Sequence, residues 1–330
     1  MIFRNPDHTE TQEDIRIAEI LESARDFAQK IAPEDSRIKI DQIYNDLSVV
    51  LCKNRVFKCI HNGHLVDTEF SSVRGGIPAG AVMFWDNFDS KKCTSNLGIA
   101  IFPTSGAHII THEALHAFSS DIGKTKNGGE FMKVGSKYTE CDDKGDIIVK
   151  TSVDLNESIT DALASRSQGH IGPSSGAGYA QQLIMADLLM GEKVENNFFI
   201  QDVYFGRGEK FAADFDKTVK TSKVKFAGYL QDFRVLGSEE ENQKSDELLK
   251  GAVEYNLRKA QTAEEIDKVY AFQQRVINLY KDGGITTNFM EDEDIARMEN
   301  LLKFADKMQK QCKSNLVAQR MAAQQKVKGA

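Results

Sequence analysis

The pattern of apolar and polar positions divides the chain into a mixed first part and a helical second part. Apolar residues recur at helical spacing over residues 11–30, which predicts an amphipathic helix that ends near Pro33. The segment from Ile40 to Leu51 carries both signals and is interpreted as a helix. From Tyr179 onward the spacing is helical almost throughout. The pattern therefore predicts an α+β protein with a mostly helical C-terminal part.

Strands are indicated by short alternating or apolar runs. Residues 55–60 alternate charged and apolar side chains, and residues 61–64 then place Asn-Gly at the centre of a hairpin turn. The other predicted strands are residues 79–85, 97–102, 131–138 and 146–151. The last two would form a second hairpin, because a polar turn containing Gly145 joins them.

One stretch carries the chemistry, and it directly follows the predicted strand 97–102. It contains the pattern H-E-x-x-H as His112, Glu113 and His116. Residues four apart lie one turn above each other on a helix, so both imidazoles can reach a single metal ion. Glu113 lies beside them, where a carboxylate can take a proton from a zinc-activated water. The motif predicts a catalytic zinc site with Glu113 as general base.

Catalytic zinc has three protein ligands and one open position, so a third ligand is needed. The pattern H-E-x-x-H-x-x-G-x-x-H is excluded, because Ser119 and Ile122 stand where its glycine and its last histidine belong. His108 lies two turns from His116, which is poor geometry for a shared ion, and is interpreted as an active-site neighbour.

A carboxylate on a second helix is the remaining source of the third ligand. Glu157 and Asp161 are four residues apart and face the same way, so Glu157 can bind the metal while Asp161 accepts a hydrogen bond from a ligand histidine. An alternative interpretation of Glu157 is a capping box with Asp154 as the N-cap, which would leave the histidine pair one ligand short.

These two motifs resemble those of the gluzincin metallopeptidases, the thermolysin-like group, in which H-E-x-x-H is followed by N-E-x-x-x-D. Here the second motif is Asn156-Glu157-x-x-x-Asp161. The resemblance implies a zincin-like core with a small N-terminal sheet lobe. It also implies zinc held by His112, His116 and Glu157, with Asp161 behind a ligand histidine. The strand 97–102 would then be the edge strand to which a peptide substrate adds.

Peptide hydrolysis also needs a donor to the oxyanion that develops in the transition state. Tyr179 is the preferred candidate, because Gly176 and Gly178 precede it and allow its side chain to lean over the metal. Tyr138 and His170 are the other candidates.

Composition limits the class of protein. The chain has 330 residues, a net charge of −7 and five widely spaced cysteines, so neither nucleic-acid binding nor a disulfide framework is expected. No apolar run is long enough for a signal peptide or a membrane span, which predicts a cytoplasmic protein or one exported without a signal peptide, such as a bacterial effector. We also expect the protein to be a monomer. The predicted parts are an N-terminal α+β lobe with the edge strand (1–104), a zinc-binding catalytic lobe (105–236) and a C-terminal helical region (237–330).

The sequence therefore favours a zinc metallopeptidase that cleaves a protein or peptide. The alternatives are a zinc hydrolase with a non-peptide substrate and an inactive zincin-fold binding module. A helical interaction protein with a fortuitous motif is the third class.

Overall fold

The computed structural model describes residues 2–3, 12–51, 56–61, 64–69, 81–89, 94–101, 105–125, 128–142, 147–150, 153–172, 180–231, 239–282 and 292–328. These residues form an α+β protein that is mostly helical and has small sheets, as the sequence predicts. The chain divides into two compact units. The first comprises Met1–His170 and Glu195–Arg207, and the second comprises Ile171–Val194 and Gly208–Ala330.

The first unit contains four α-helices, one π-helix and ten strands among its described residues. The helices are α1 (Gln12–Ile31), α2 (Glu34–Asp46), α3 (Ala107–Phe118), α4 (Val153–Ser167) and a π-helix over Ile200–Tyr204. The strands are β1 (Ile2–Phe3), β2 (Ser48–Leu51), β3 (Val56–His61), β4 (His64–Glu69), β5 (Ala81–Asp89), β6 (Thr94–Ile101), β7 (Asp121–Lys124), β8 (Glu130–Val134), β9 (Lys137–Cys141) and β10 (Ile147–Lys150).

The strand that leads to the motif helix lies inside a four-stranded sheet of order β1-β2-β6-β5. Strand β6 pairs in parallel with β2 and antiparallel with β5, so both of its hydrogen-bonding sides are occupied. The prediction that residues 97–102 form the substrate-binding edge is therefore wrong. Among the described strands, β5 lies at that edge of the sheet, and it packs against α3.

The predicted helix from Ile40 to Leu51 is also corrected. Helix α2 starts earlier and ends at Asp46, after which Leu47 adopts an extended backbone. Residues Ser48–Leu51 then form β2, in register with Gly98–Ile101 of β6. Strand β2 is stabilised by pairing with β6, about fifty residues further along the chain, so local periodicity could not show that Ser48–Leu51 is a strand.

A second sheet, of order β10-β9-β8-β7, follows α3. The predicted strand 131–138 is in fact a tight hairpin of β8 and β9, which turns at Gly135 with a φ of 56°. The left-handed region suits glycine because it has no Cβ. The predicted strand 55–60 and the hairpin after it are confirmed by the antiparallel pairing of β3 with β4, whereas the two central residues of the predicted turn 61–64 lie outside the described part.

The second unit is built from helices in its described residues. They are α5 (Ala180–Met190), α6 (Glu209–Thr218), α7 (Phe226–Gln231), α8 (Glu239–Lys259), α9 (Ala263–Lys281) and α10 (Asp292–Lys328). Its core includes a cluster of rings from Phe211, Phe215, Phe226 and Tyr255, with centroids 5.0–5.9 Å apart. Helix α8 ends at Lys259, and Thr262 then forms a capping box with Glu265 that starts α9.

The predicted C-terminal helical region starts at residue 237, and the structure is helical from Glu239 on. The predicted boundaries after residues 104 and 236 fall inside the two compact units. The first does so because α1 packs directly on α3, so the N-terminal residues and the motif helix share one core. None of the described helices combines the length and the apolar character that a membrane crossing needs.

Candidate metal centre

Helix α3 carries the first motif, and the prediction of a helix over residues 108–118 is confirmed. Three apolar residues of this helix, Ile110, Ala114 and Leu115, are fully buried. The helix is therefore fixed in the core by the face that does not carry the chemistry. The side chain of His116 is 5% exposed and that of His112 is 15% exposed, so both imidazoles lie at the inner end of a cleft rather than on the surface.

Helix α4 packs against α3 and brings Glu157 to the histidine pair. The Oε2 atom of Glu157 lies 3.2 Å from Nε2 of His112 and 3.3 Å from Nε2 of His116. The two Nε2 atoms are 3.0 Å apart. The three predicted ligands thus converge on one point. Helix α4 already begins at Val153, so Asp154 is not the residue before its first turn, and the side chain of Glu157 faces the imidazoles.

This donor set can be tested against the geometry of a metal ion. Zinc takes two imidazole nitrogens and a carboxylate oxygen at about 2.0–2.2 Å in a tetrahedron, which places the ligand atoms roughly 3.3 Å apart. The observed separations of 3.0, 3.2 and 3.3 Å fit that arrangement. Glu157 is 33% exposed, which leaves one side of the triangle open to the cleft. The residues present therefore fit a catalytic rather than a closed structural ion.

The electrostatics of the cluster favour a positive charge at the same point. Burial disfavours a charged His112, but the carboxylates of Asp161 and Glu157 outweigh it and raise the pKa of His112 to about 10. Burial opposes the ionisation of Glu157 as well, yet the neighbouring imidazoles, His116 foremost, hold its pKa well below the usual range. The site holds its carboxylate ionised and therefore requires a compensating cation, which can be a proton or a metal ion.

Glu113, the predicted general base, lies in the cleft next to the triangle. Its Oε2 atom accepts a hydrogen bond of 2.8 Å from the backbone N–H of Met83 in β5. Burial raises the pKa of Glu113, and the charges of His112 and His116 partly offset that rise. A carboxylate held in place by the edge strand, with a pKa shifted toward neutrality, has the properties of a general base.

Asp161 meets a partner that the sequence did not predict. Its Oδ1 atom lies 2.6 Å from Nε2 of His108 but 3.8 Å from Nδ1 of His112, which is too long for a hydrogen bond. The direct partner of Asp161 is therefore His108, at the start of α3, and Asp161 reaches the ligand His112 only at longer range. His108, His112 and Asp161 could form a second metal group by proximity. The distance of 2.6 Å between His108 and Asp161 is instead that of a charge-assisted hydrogen bond. We therefore interpret these two residues as a hydrogen-bonded pair beside the candidate ligand His112.

The second ring nitrogen of His116 has partners that sequence reasoning missed. Its Nδ1 atom lies 3.3 Å from the hydroxyl of Thr160 and 3.3 Å from Nδ2 of Asn156. The Thr160 hydroxyl also lies 3.1 Å from the hydroxyl of Tyr204, a fully buried residue of the π-helix. Burial raises the pKa of Tyr204, so its phenol stays protonated. Helical spacing gives a signal for them, because Thr160 lies three residues after Glu157 and four after Asn156, so it shares a side of α4 with each.

The open side of the triangle is a cleft of about 330 Å³. Its lining combines site residues with one strand residue and one face of the β8–β9 hairpin, namely Met83, Glu113, His116, Met132, Val134, Lys137, Thr139, Asn156 and Glu157.

Two of the three predicted oxyanion donors, Tyr138 and His170, are not in this lining. The hydroxyl of Tyr138 donates to Glu140, and Tyr138 lies outside the lining, while His170 is exposed after the end of α4. Tyr179 lies outside the described residues, so its role stays a prediction.

Comparison of the chain with known protein families, with curated proteins and with solved structures finds no match in any of the three. The resemblance to the gluzincins therefore rests on the two motifs, His112-Glu113-x-x-His116 and Asn156-Glu157-x-x-x-Asp161.

Proposed function

We propose that the protein is a zinc-dependent metallopeptidase with a zincin-like core, which hydrolyses peptide bonds in a protein or peptide. The observation that carries this proposal is the convergence of His112, His116 and Glu157 on one point, with Glu113 beside it in an open cleft. Zinc, when bound there, supplies a Lewis acid that polarises the peptide carbonyl and lowers the pKa of a water.

The residues of the chain supply the proton transfers and the positioning. Met83 fixes one oxygen of Glu113, which leaves Oε1 without a hydrogen bond among the described residues. Oε1 is the atom that takes the proton of the attacking water and later delivers it to the leaving amine. The edge strand β5 carries Met83, so a peptide that adds to β5 as a further strand places its backbone next to Glu113.

Metal content is the first test. Purified protein should contain one zinc ion per chain, measured by inductively coupled plasma mass spectrometry. His116→Ala should lose the metal, because two donors hold zinc far more weakly than three. Glu113→Gln should keep it, and His170→Ala serves as a matched control, since that histidine is exposed and outside the triangle. Full zinc content in His116→Ala would reject His116 as a ligand and would mean that the H-E-x-x-H pattern is fortuitous.

Peptidase activity is tested with an unbiased substrate. A cell lysate is incubated with zinc-loaded protein or with Glu113→Gln, and new N-termini are identified by mass spectrometry. We expect new N-termini only with the unaltered protein. A protein that binds one zinc ion through these ligands but generates no new N-termini would instead be a hydrolase of another substrate or a binding module.

A further inference from the structure

The β8–β9 hairpin presents one of its two faces to the cleft. Its register pairs Met132 with Thr139 and Val134 with Lys137. Side chains alternate between the faces of a strand, so these four lie on the same face, and all four line the cleft with Glu113 and Glu157. The hairpin and the edge strand β5, through Met83, thus line the same cleft, and the hairpin side chains meet whatever enters it.

The other face of the hairpin is held in place. Lys133, which is 5% exposed, donates its ammonium hydrogens to the backbone carbonyls of Ser119 and Tyr204, at 3.2 and 2.6 Å. The guanidinium of Arg207 lies over the rings of Phe131 and Tyr138, at 5.4 and 5.1 Å from their centroids. Because one face is anchored, the cleft face is presented in a fixed orientation.

Among the described residues that line the cleft, Lys137 is the only cationic side chain apart from the histidine. Its backbone N–H lies 3.4 Å from Oδ1 of Asn156, the neighbour of Glu157 in the sequence, which places it close to the metal centre. In the described part of the chain no hydrogen bond or ion pair engages its ammonium group.

The acidic residues of the cleft are already engaged elsewhere. Glu157 faces the two imidazoles, and Glu113 accepts from the N–H of Met83. The direct cross-strand partner of Lys137 on the hairpin face is the apolar Val134, and Met132 and the uncharged Thr139 complete that face. An ammonium beside apolar walls attracts an anion more strongly than one in open water.

We propose that Lys137 is a specificity residue that selects substrates carrying a carboxylate close to the scissile bond. The carboxylate belongs either to an Asp or Glu side chain or to the free C-terminus of a peptide. The apolar side chains of Met132 and Val134 accept the aliphatic part of the same substrate segment. This inference rests on the proposed peptidase function and adds the substrate class to it.

The test is a cleavage profile on a defined peptide library. Zinc-loaded protein is incubated with peptides whose central residues are varied. On either side of this varied segment, each position in turn carries Glu, Gln or Lys. Each peptide is made with a free and with an amidated C-terminus, and products are sequenced by mass spectrometry. We expect about a tenfold or greater preference for Glu over Gln at one position near the cut, or for the free over the amidated C-terminus. These two arms distinguish the two sources of the carboxylate.

Variants of Lys137 then assign the preference to this side chain. Lys137→Met should remove most of the preference, Lys137→Arg should keep it, and Lys137→Glu should shift it to Lys-containing peptides. Lys124→Met is the matched control, because Lys124 is an exposed lysine of β7 in the same sheet and outside the cleft lining. A direct binding readout uses zinc-loaded Glu113→Gln and fluorescent peptides, whose dissociation constants should follow the same order.

The outcomes separate the two proposals. If peptides are cut but the profile is neutral, or does not respond to Lys137→Met and Lys137→Glu, the specificity assignment is overturned and the peptidase function stands. If the unaltered protein cuts no peptide and Glu113→Gln binds none, the proposed function fails and takes this inference with it.

Discussion

The side-chain oxygen of Asn156 lies 2.8 Å from the backbone nitrogen of Ser136 and accepts its hydrogen bond. The first residue of the second motif therefore fastens the turn of the β8–β9 hairpin to the helix that carries the ligand Glu157. This contact fixes the orientation of the amide, because its oxygen must face the turn. Its nitrogen then faces Nδ1 of His116. One side chain thus couples the wall of the cleft to the metal centre.

The close approach of this turn to Asn156 depends on Gly135. A Cβ at Gly135 would lie 2.1 Å from Oδ1 of Asn156 and 2.6 Å from a ring carbon of Tyr204, at a φ of +56°. We expect Gly135→Ala to lower the free energy of unfolding by well over the roughly 1–2 kcal/mol of left-handed strain alone, and to lower zinc affinity. Urea denaturation of the zinc-free protein measures the first effect.

Gly169→Ala is the matched control for that measurement. Gly169 has a φ of +79°, but no atom lies within 4 Å of the Cβ position. It should show the conformational strain without the clash. Equal losses for both variants would mean that the turn moves away from Asn156 at little cost, and the coupling would be rejected.

The sequence predicted the convergence of the candidate ligands better than it predicted the sheets. The ligand spacing is local: His112 and His116 are one helical turn apart, so their geometry follows from α3 alone. By contrast, β2 exists because it pairs with β6, and no local pattern around Ser48 encodes that partner. The pairing of Asp161 with His108 depends on how α3 packs against α4.

Other parts of the site could not be predicted because their residue types are unspecific. Thr160 and Tyr204 matter only through their distances to His116 and to each other. The sequence pattern predicts one strand from Phe131 to Tyr138, because apolar and polar residues alternate on both sides of Gly135, where the structure has a tight turn. A single glycine does not predict a left-handed turn unless other turn-forming residues stand beside it.

Lys133 provides a test of the hairpin anchor through pH. Burial lowers the pKa of its ammonium group to about 7, although the charge of Asp121 opposes this shift. In the unfolded chain a lysine titrates near 10.4. Between these values the unfolded state binds a proton that the native state lacks, so the free energy of unfolding should rise with pH. The cost of burying the charge is fully present below pH 7 and is relieved as the pH rises.

The expected slope from Lys133 is up to about 1.4 kcal/mol per pH unit between roughly pH 7 and 10. It is measured by urea denaturation at pH 7, 8 and 9 as the difference between the unaltered protein and Lys133→Met. Lys124→Met, which changes an exposed lysine of the same sheet, should give a difference that does not vary with pH. A flat difference for Lys133→Met would show that its ammonium stays charged when folded.

Asp161 should support the metal centre through its charge. The carboxylate is 5% exposed, pairs with His108 and lies 3.8 Å from Nδ1 of His112. We expect Asp161→Asn to weaken zinc binding by about 10- to 100-fold, because a carboxylate near a ligand imidazole raises its basicity. Competition with a chromophoric chelator measures the affinity. Glu113→Gln removes a second carboxylate charge that acts on His112, so equal losses in both variants would mean that any nearby negative charge suffices and would reject a specific role for Asp161.

The last prediction concerns the tautomer of His116. To bind a metal through Nε2, this imidazole must carry its hydrogen on Nδ1, and that hydrogen needs an acceptor. The Thr160 hydroxyl donates to the backbone carbonyl of Asn156 at 2.8 Å, so its oxygen can accept twice, once from the Tyr204 hydroxyl at 3.1 Å and once from Nδ1 at 3.3 Å. The amide nitrogen of Asn156, at the same distance, is a donor and favours the opposite tautomer. Thr160 is therefore the group that selects the metal-binding form.

Thr160→Val removes this acceptor and nearly preserves the volume of the side chain, whereas Thr160→Ser keeps the hydroxyl and loses one methyl group. We expect Thr160→Val to weaken zinc binding by about 10-fold or more and Thr160→Ser to leave it nearly unchanged. The loss of zinc affinity should not come from a less stable fold, so the urea midpoint of each zinc-free variant is measured beside its zinc affinity. Nitrogen-15 chemical shifts of the His116 ring in the zinc-free variants report the tautomer directly, and Thr160→Val should move the hydrogen toward Nε2. An unchanged tautomer together with unchanged affinity would assign the orientation of His116 to the packing of α3 against α4 alone.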